Sequence, residues 1–263
     1  NSAFTHNDPQ EASPHFFHID SKSGTREFVY GSRASNPIDQ WPDPDVYHHQ
    51  SGQTLSGSEM RNINRTYPGV KDGTLTEQIS YAVTNMINTL DIDMEMDLHE
   101  ASPEYPTINA TVAHERAMDM ASMGILELQM DGVDMSLEPS PVSLHGLTHR
   151  ELGDHTNTLA LLMETGNPSQ GRLHGATSEE LVLTGKDKYY EKASELGYLY
   201  IPYDKENGVP LELRVGRHLQ GCIEYMNAFN EMYGTEKGEI VMTGIPTYEE
   251  LTSGGHKLGE YLN

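Results

Sequence analysis

Cysteine is almost missing from these 263 residues; there is one, Cys222. An intrachain disulfide and a thiolate zinc cluster are therefore excluded. Cys222 lies among Leu219, Ile223 and Met226 at helical spacing, which reads as core, not as a catalytic thiol. Positive charge is scarce as well. Lys and Arg number 17 against 40 Asp and Glu, a formal net charge of −23, and no basic run interrupts it. Such a field repels nucleic acid and anionic membranes, because the phosphate attraction that drives such binding is reversed. It fades beyond a Debye length of about 8 Å, so local arginines can still hold a small anionic substrate. No stretch approaches the roughly 18 apolar residues that span a membrane. There is no G-x-S-x-G, Ser56 in "LSGSE" has no local base, and no Walker or dinucleotide glycine pattern occurs. No leader precedes Asn1, so the start is expected to be processed, engineered or truncated. The compartment, cytoplasmic or secreted and periplasmic, stays open.

What is present organises into one expected domain spanning 1–263. Residues 1–73 read as mostly irregular, with a strand at Arg26–Tyr30 and a packed loop around the single tryptophan, Trp41. At Thr74 the signal sharpens: "TLTE" is a capping box, Thr74 to Glu77. Ile79, Ala82, Val83, Met86, Ile87 and Leu90 then recur at helical spacing, predicting an inward apolar stripe. A strand is expected at Ile92–His99, and a helix at Glu115–Met130 with Met118, Ala121, Ile125 and Leu128 inward. The methionines of that region read as core. After Gly132 come a short strand at Val133–Leu137 and a Pro/Gly/His loop reaching Asn157. "TLALLM" at 158–163 suits a strand buried on both faces. Helices are expected at Asp187–Leu196 and Leu211–Tyr233, the latter stopped by Gly234. The alternation predicts an α/β three-layer sandwich, a mainly parallel mixed sheet with helices on both faces.

Three pieces carry chemistry. In open α/β sheets ligands bind beyond the carboxyl ends of strands. His99 closes one predicted strand and Glu164 another, so neighbouring strand ends would bring a histidine and a glutamate to one rim. That pairing suits a Zn²⁺ ligand and a general base acting on a metal-bound water. Asp97, two residues before His99, points to the same side of a strand and can accept its other ring N–H. Asp93 and Glu95 share that side, so a solvated carboxylate is the plainer alternative. The third piece is "RNINR": Arg65 offers a two-pronged fork for a substrate carboxylate, Asn64 a neutral donor, and Arg61 and Arg172 are further candidates.

"NINRTYPG", "DLHE" and the later strand-end glutamate, in that order, resemble the zinc carboxypeptidases (M14-like) and the related succinylglutamate desuccinylase/aspartoacylase deacylases. The resemblance covers about residues 60–170, and "PEYP" and "LTHRELGD" look typical of a bacterial subgroup. It implies that Asn64 and Arg65 bind the substrate's free carboxylate, that His99 is the third zinc ligand, and that Glu164 is the general base. One departure matters. The family's first two zinc ligands come from an H-x-x-E motif upstream of the Asn-Arg pair, and no histidine before Asn64 fits it. The resemblance thus implies an N-terminally incomplete carboxypeptidase-like fold, short of at least one β-α unit.

The expected function is a Zn²⁺-dependent hydrolase that cleaves an amide next to a free carboxylate, in a peptide or an acylated amino acid. This chain alone is expected to hold zinc poorly. The alternative is a non-catalytic carboxylate- or peptide-binding module that has lost the metal. "HGLTH" offers a substitute ligand pair, His145 and His149, if both share a helical face. Two N-x-T triplets, at Asn64 and Asn109, are discounted as glycan acceptors because such matches are common by chance.

Overall fold

Thr74 and Glu77 form both bonds of the expected box. In the computed structural model the Glu77 N–H donates to the Thr74 hydroxyl at 3.3 Å, and the Thr74 N–H donates to the Glu77 carboxylate at 2.8 Å. The structure describes residues 16–22, 24–29, 35, 42–254 and 258–261. Tyr30 and Trp41, singled out above, lie outside them.

The box starts helix α1 (Leu75–Leu90), but α1 does not bury the stripe its periodicity predicts. Its buried residues are Thr76, Ser80, Thr84 and Ile87, while Ile79, Met86 and Leu90 are 41%, 48% and 66% exposed. The reason is what α1 packs against. The segment around residues 61–67 presents the Thr66 hydroxyl and the Ile63 carbonyl to Ser80, and Tyr67 and Ile63 to Ile87 and Val83, so a mixed hydroxyl and apolar face turns inward. Ser80 Oγ lies 2.7 Å from Thr66 Oγ1, Ser35 Oγ lies 2.7 Å from Thr76 Oγ1, and Thr66 Oγ1 donates to the Ile63 carbonyl. Buried polar groups must be paired, and here that requirement overrides apolar periodicity.

Two antiparallel hairpins precede the main sheet. The first pairs β1 (Phe16–Ser21) with β2 (Gly24–Val29), so the single predicted strand has a partner that the sequence did not announce. The second pairs β3 (Val46–His48) with β4 (Thr54–Ser56), each too short to show an alternation.

The main sheet holds β5 (Met94–Ala101), β6 (Ala110–Ala113), β7 (Ser136–Pro139) and β8 (Leu159–Gly166), in the order β5-β8-β6-β7. Two of its three pairings are parallel, and β6 runs against β8. The fold is thus α/β with a mixed sheet. β5 and β7 start two and three residues later than predicted, and β6, four residues long, was not foreseen.

Strand β8 is the spine. Ala160, Leu161, Leu162 and Met163 are each at most 2% exposed, as the apolar run led one to expect. Leu161 and Met163 face helices α2 (Met118–Met130) and α6 (Leu211–Lys237), where Ala121, Ile125, Leu128, Tyr225 and Phe229 complete the core. The opposite face, with Ala160, meets Leu152 of α3 (Thr148–His155) and Ile87 of α1. Each large side chain so buried contributes about 1.5–3 kcal/mol. A short 3₁₀ turn, Glu115–Ala117, replaces the first turn of the helix predicted there. Helix α3 stands where a loop was expected.

Helices α4 (Glu179–Thr184), α5 (Lys188–Glu195) and α7 (Tyr248–Thr252) are the remaining α-helices among the described residues. α5 falls inside its predicted range, with Asp187 as its N-cap. α6 does not stop at Gly234. It runs to Lys237 and ends at Gly238, whose φ of +89° is a backbone conformation that glycine adopts readily and that breaks the helix. Cys222 packs against the α2–α6 core, and burial pushes its thiol up, in keeping with a structural role. No helix among the described residues is long and apolar enough to cross a membrane.

Candidate functional site

Parallel pairing of β5 and β8 sets His99 opposite Glu164. His99 Nδ1 lies 3.8 Å from Glu164 Oε1, and His99 Nε2 lies 2.9 Å from Asp97 Oδ2. The two ring nitrogens therefore have different neighbours, one carboxylate on its own strand and one on the next. Asp97 Oδ2 also accepts from the Thr148 hydroxyl at 2.7 Å, and the Thr148 backbone N–H donates to Asn64 Oδ1 at 3.1 Å. Asn64, His99 and Glu164 are thus joined through Asp97 and the first residue of α3.

Asn64 sits in a 3₁₀ turn, Ile63–Arg65, held by its own N–H donating to Asn62 Oδ1. Asn64 is 7% exposed, and its Nδ2 makes no hydrogen bond among the described residues. Arg65 Nη1 donates to the Asn64 carbonyl at 2.5 Å, and its Nε lies 3.8 Å from Glu59 Oε2. Gly146 lets the α3 loop lie on this turn. At φ +87° it accepts the Tyr67 N–H, and a Cβ there would sit 2.5 Å from the Arg65 carbonyl oxygen.

Electrostatics separates the carboxyls. Burial raises Asp97, but hydrogen bonds from His99 and Thr148 and the nearby His99 and His149 outweigh it, holding Asp97 below the usual carboxylate range. Glu95, on the same side of β5, is pushed up to about 8, by burial first and by Asp97 second. It is a half-buried acid whose Oε2 is shielded from solvent, not the solvated carboxylate that a D-x-E-x-D alternation suggests. His149 is pulled down to about 4 by burial, with His99, Arg150 and Arg65 adding repulsion against Asp97, and its Nδ1 lies 2.8 Å from Ser140 Oγ. His218, on α6, is likewise pulled down to about 4 by burial and bonds to the His99 backbone. Both imidazoles are neutral near pH 7.

Not every candidate belongs to this group. Arg61 closes its fork on Asp43, Nε to Oδ1 at 2.8 Å and Nη2 to Oδ2 at 3.0 Å, with Nη1 on the Ser35 carbonyl at 3.0 Å. It braces the loop and presents no open fork. Arg172 is exposed, and the contact it makes is from its backbone N–H to Glu104 Oε1. His145 and His149 are not a ligand pair either. α3 begins at Thr148, so His145 lies off the helix and bonds Glu151 at 2.8 Å, while His149 turns to Ser140.

Residues that could hold zinc can be tested from donor chemistry. A zinc site with an open position takes three protein ligands. At Glu164 the ring nitrogen offered is His99 Nδ1, since Nε2 is held by Asp97. Among the described residues three ligand-type atoms gather within 4.8 Å only at His114, Glu115 and Asp154. The His99 group therefore does not fit zinc by itself. The His114 cluster lies at the other rim, where β6 ends, and it already contains a cation. Arg150, 1% exposed, reaches Glu115 Oε2 at 2.9 Å and closes on Asp154 through two nitrogens.

Sequence reasoning missed Thr148, Glu95 and His218. Thr148 is invisible because its value lies in a fold contact with Asp97. Glu95 has the same pattern as a surface acid, and His218 lies inside an ordinary helical stretch. Comparison with protein-family models, with curated proteins and with solved structures yields no match.

Proposed function

We propose that this chain carries the base and the carboxylate anchor of a hydrolase acting on an amide next to a free carboxylate, in a peptide or an N-acyl-amino acid. The observation that carries this reading is the His99 Nδ1–Glu164 Oε1 approach of 3.8 Å on adjacent parallel strands, linked through Asp97 and Thr148 to Asn64. Glu164 takes the proton of an attacking water and returns it to the leaving nitrogen. Asp97 fixes the His99 ring, so that Nδ1 faces the space beside Glu164. The Asn64 amide and the Arg65 guanidinium hold the substrate carboxylate, which positions the scissile carbonyl. The resemblance of "NINRTYPG" and "DLHE" to the zinc carboxypeptidases supports the same assignment, with the α/β sheet as part of a carboxypeptidase-like sandwich. The test is hydrolysis of N-acyl-amino acids and C-terminally free peptides by wild-type protein and Glu164→Gln. Absence of turnover in the wild type, or equal turnover in both, ends this reading.

That His99 is the one histidine beside Glu164 among the described residues favours a second reading, a binding module that keeps the carboxylate pocket without chemistry. It is distinguished by saturable binding of an N-acyl-amino acid that Arg65→Ala weakens while no product forms.

A further inference from the structure

Among the described residues three arginines are buried: Arg150, Arg214 and Arg217. Arg150 is closed on Asp154 and Glu115, and Arg214 on Glu100. Arg217 is 9% exposed and has no ion pair among the described residues. Its Nη1 donates to Asn109 Oδ1 at 3.1 Å, Tyr248 hydrogen-bonds its side chain, and its buried Nε has no hydrogen-bond partner there. Burial lowers its pKa, with Asp134 and Tyr248 opposing only in part. A buried guanidinium is costly unless an anion completes it.

Besides these contacts Arg217 borders open space. It lines a cavity of about 990 Å³, the upper end of the usual range for small-molecule sites. Ile201, Tyr203, Val209, Leu213 and Leu251 give that cavity apolar walls, and Lys186 adds a second cation. The first turn of α6 also borders it, and its N-cap, Pro210, supplies no side-chain cap. That end of a helix favours negative charge. Asp204, Glu212 and Glu260 lie on the wall as well, which disfavours a polyanion and leaves room for one compact anionic group at Arg217.

We propose that this cavity binds a small molecule with one carboxylate or phosphate head and an apolar body, the head closing the ion pair that Arg217 lacks. The site is separate from the His99 group, and the proposal does not depend on hydrolysis there.

The experiment is calorimetric titration of the whole chain with hexanoate and with inorganic phosphate, on wild type, Arg217→Met and Leu213→Trp. Methionine keeps the stem and removes the charge; tryptophan narrows the cavity and leaves Arg217 in place. Saturable binding by the wild type is expected, weakened roughly 10–150-fold in Arg217→Met by loss of a charge-assisted bond. Hexanoate alone binding assigns a carboxylate ligand, and phosphate alone assigns a phosphate. The unliganded Arg217→Met protein is expected to melt no lower than wild type, because an uncompensated buried charge has been removed. Leu213→Trp should lose hexanoate binding even if Arg217→Met fails to fold. Absence of saturable binding by either probe overturns the proposal, as does equal binding by wild type and both variants.

Discussion

The Thr148 hydroxyl donates to Asp97 at 2.7 Å, and through that bond the start of α3 fixes the carboxylate that orients His99. Replacing Thr148 with Ala removes one restraint and leaves the His99 contact. The stability loss expected is about 0.5–1.5 kcal/mol, the net worth of one hydrogen bond. Asp97→Asn should do more, because a neutral amide no longer favours the tautomer with its proton on Nε2. Nitrogen NMR of the imidazole reads this directly. An unchanged tautomer in Asp97→Asn would show that Asp97 does not set it.

Glu164→Gln keeps size and hydrogen bonding but removes the base. Loss of a general base costs about 10²–10⁴-fold, and it should fall on kcat while substrate affinity persists. Near-full turnover would make the glutamate structural.

Arg65→Ala should act in the other direction, weakening binding of a carboxylate-bearing substrate roughly 10–150-fold. Arg65→Lys should restore little of it, since a point charge cannot make the two-pronged contact. An uncleavable analogue separates affinity from turnover. If affinity is indifferent to all three residues at this position, the anchor lies elsewhere.

Glu95 and His149 give opposite pH dependences. Glu95 sits at about 8 in the folded chain, so folding retains a proton that the unfolded chain gives up near 4.5. That contribution is present at acid pH and is lost as pH rises toward 8. His149 sits at about 4 against an ordinary 6.5, so the unfolded chain binds the extra proton and stability falls as pH drops through that window. Glu95→Gln stays neutral throughout. Its Tm relative to wild type should rise from about pH 5 to about pH 8 by several degrees, one pH unit of displacement being worth about 1.4 kcal/mol. Parallel melting curves across that range would place Glu95 in solvent.

Metal analysis after dialysis should find far less than one zinc per chain, because among the described residues His99 is the one histidine paired with Glu164 and Arg150 already occupies the His114 cluster. Stoichiometric zinc would point first to His114, Glu115 and Asp154. Arg150→Met should then raise the affinity.

Local chemistry was legible in the sequence wherever one residue determined it. Thr74 with Glu77 sets a helix start whatever surrounds it, and the run from Leu159 to Met163 has no stable place outside a buried strand. Facing and partnership were not legible. The stripe Ile79–Met86–Leu90 reads as inward because nothing in the sequence says that α1 will meet hydroxyls and carbonyls. Strand β6 is too short to carry a period, and Gly234 looks like a helix stop until Gly238 proves to be the residue with positive φ. At the site, His99, Asp97 and Glu164 were readable from strand parity and order. Arg61 was not, since its fork is decided by Asp43, eighteen residues before it.

The direction of β6 has a consequence for access. Because β6 runs against β8 and β5 runs with it, the end of β5 and the start of β6 lie on the same rim, with the end of β8 between them. The chain between Ala101 and Ala110 must therefore bridge across β8 just past Glu164, a gap of two strand spacings or about 10 Å. Asn109 moors the far end of this bridge, its Oδ1 accepting the Gly166 N–H at 2.9 Å, and Tyr200 moors the near end through the Pro103 carbonyl. Pro103 and Pro106 stiffen the span between. Glu164 thus stands beside a short, tethered arch of the protein's own backbone, and a molecule reaching it from the β6 side must fit the clearance that those two prolines set.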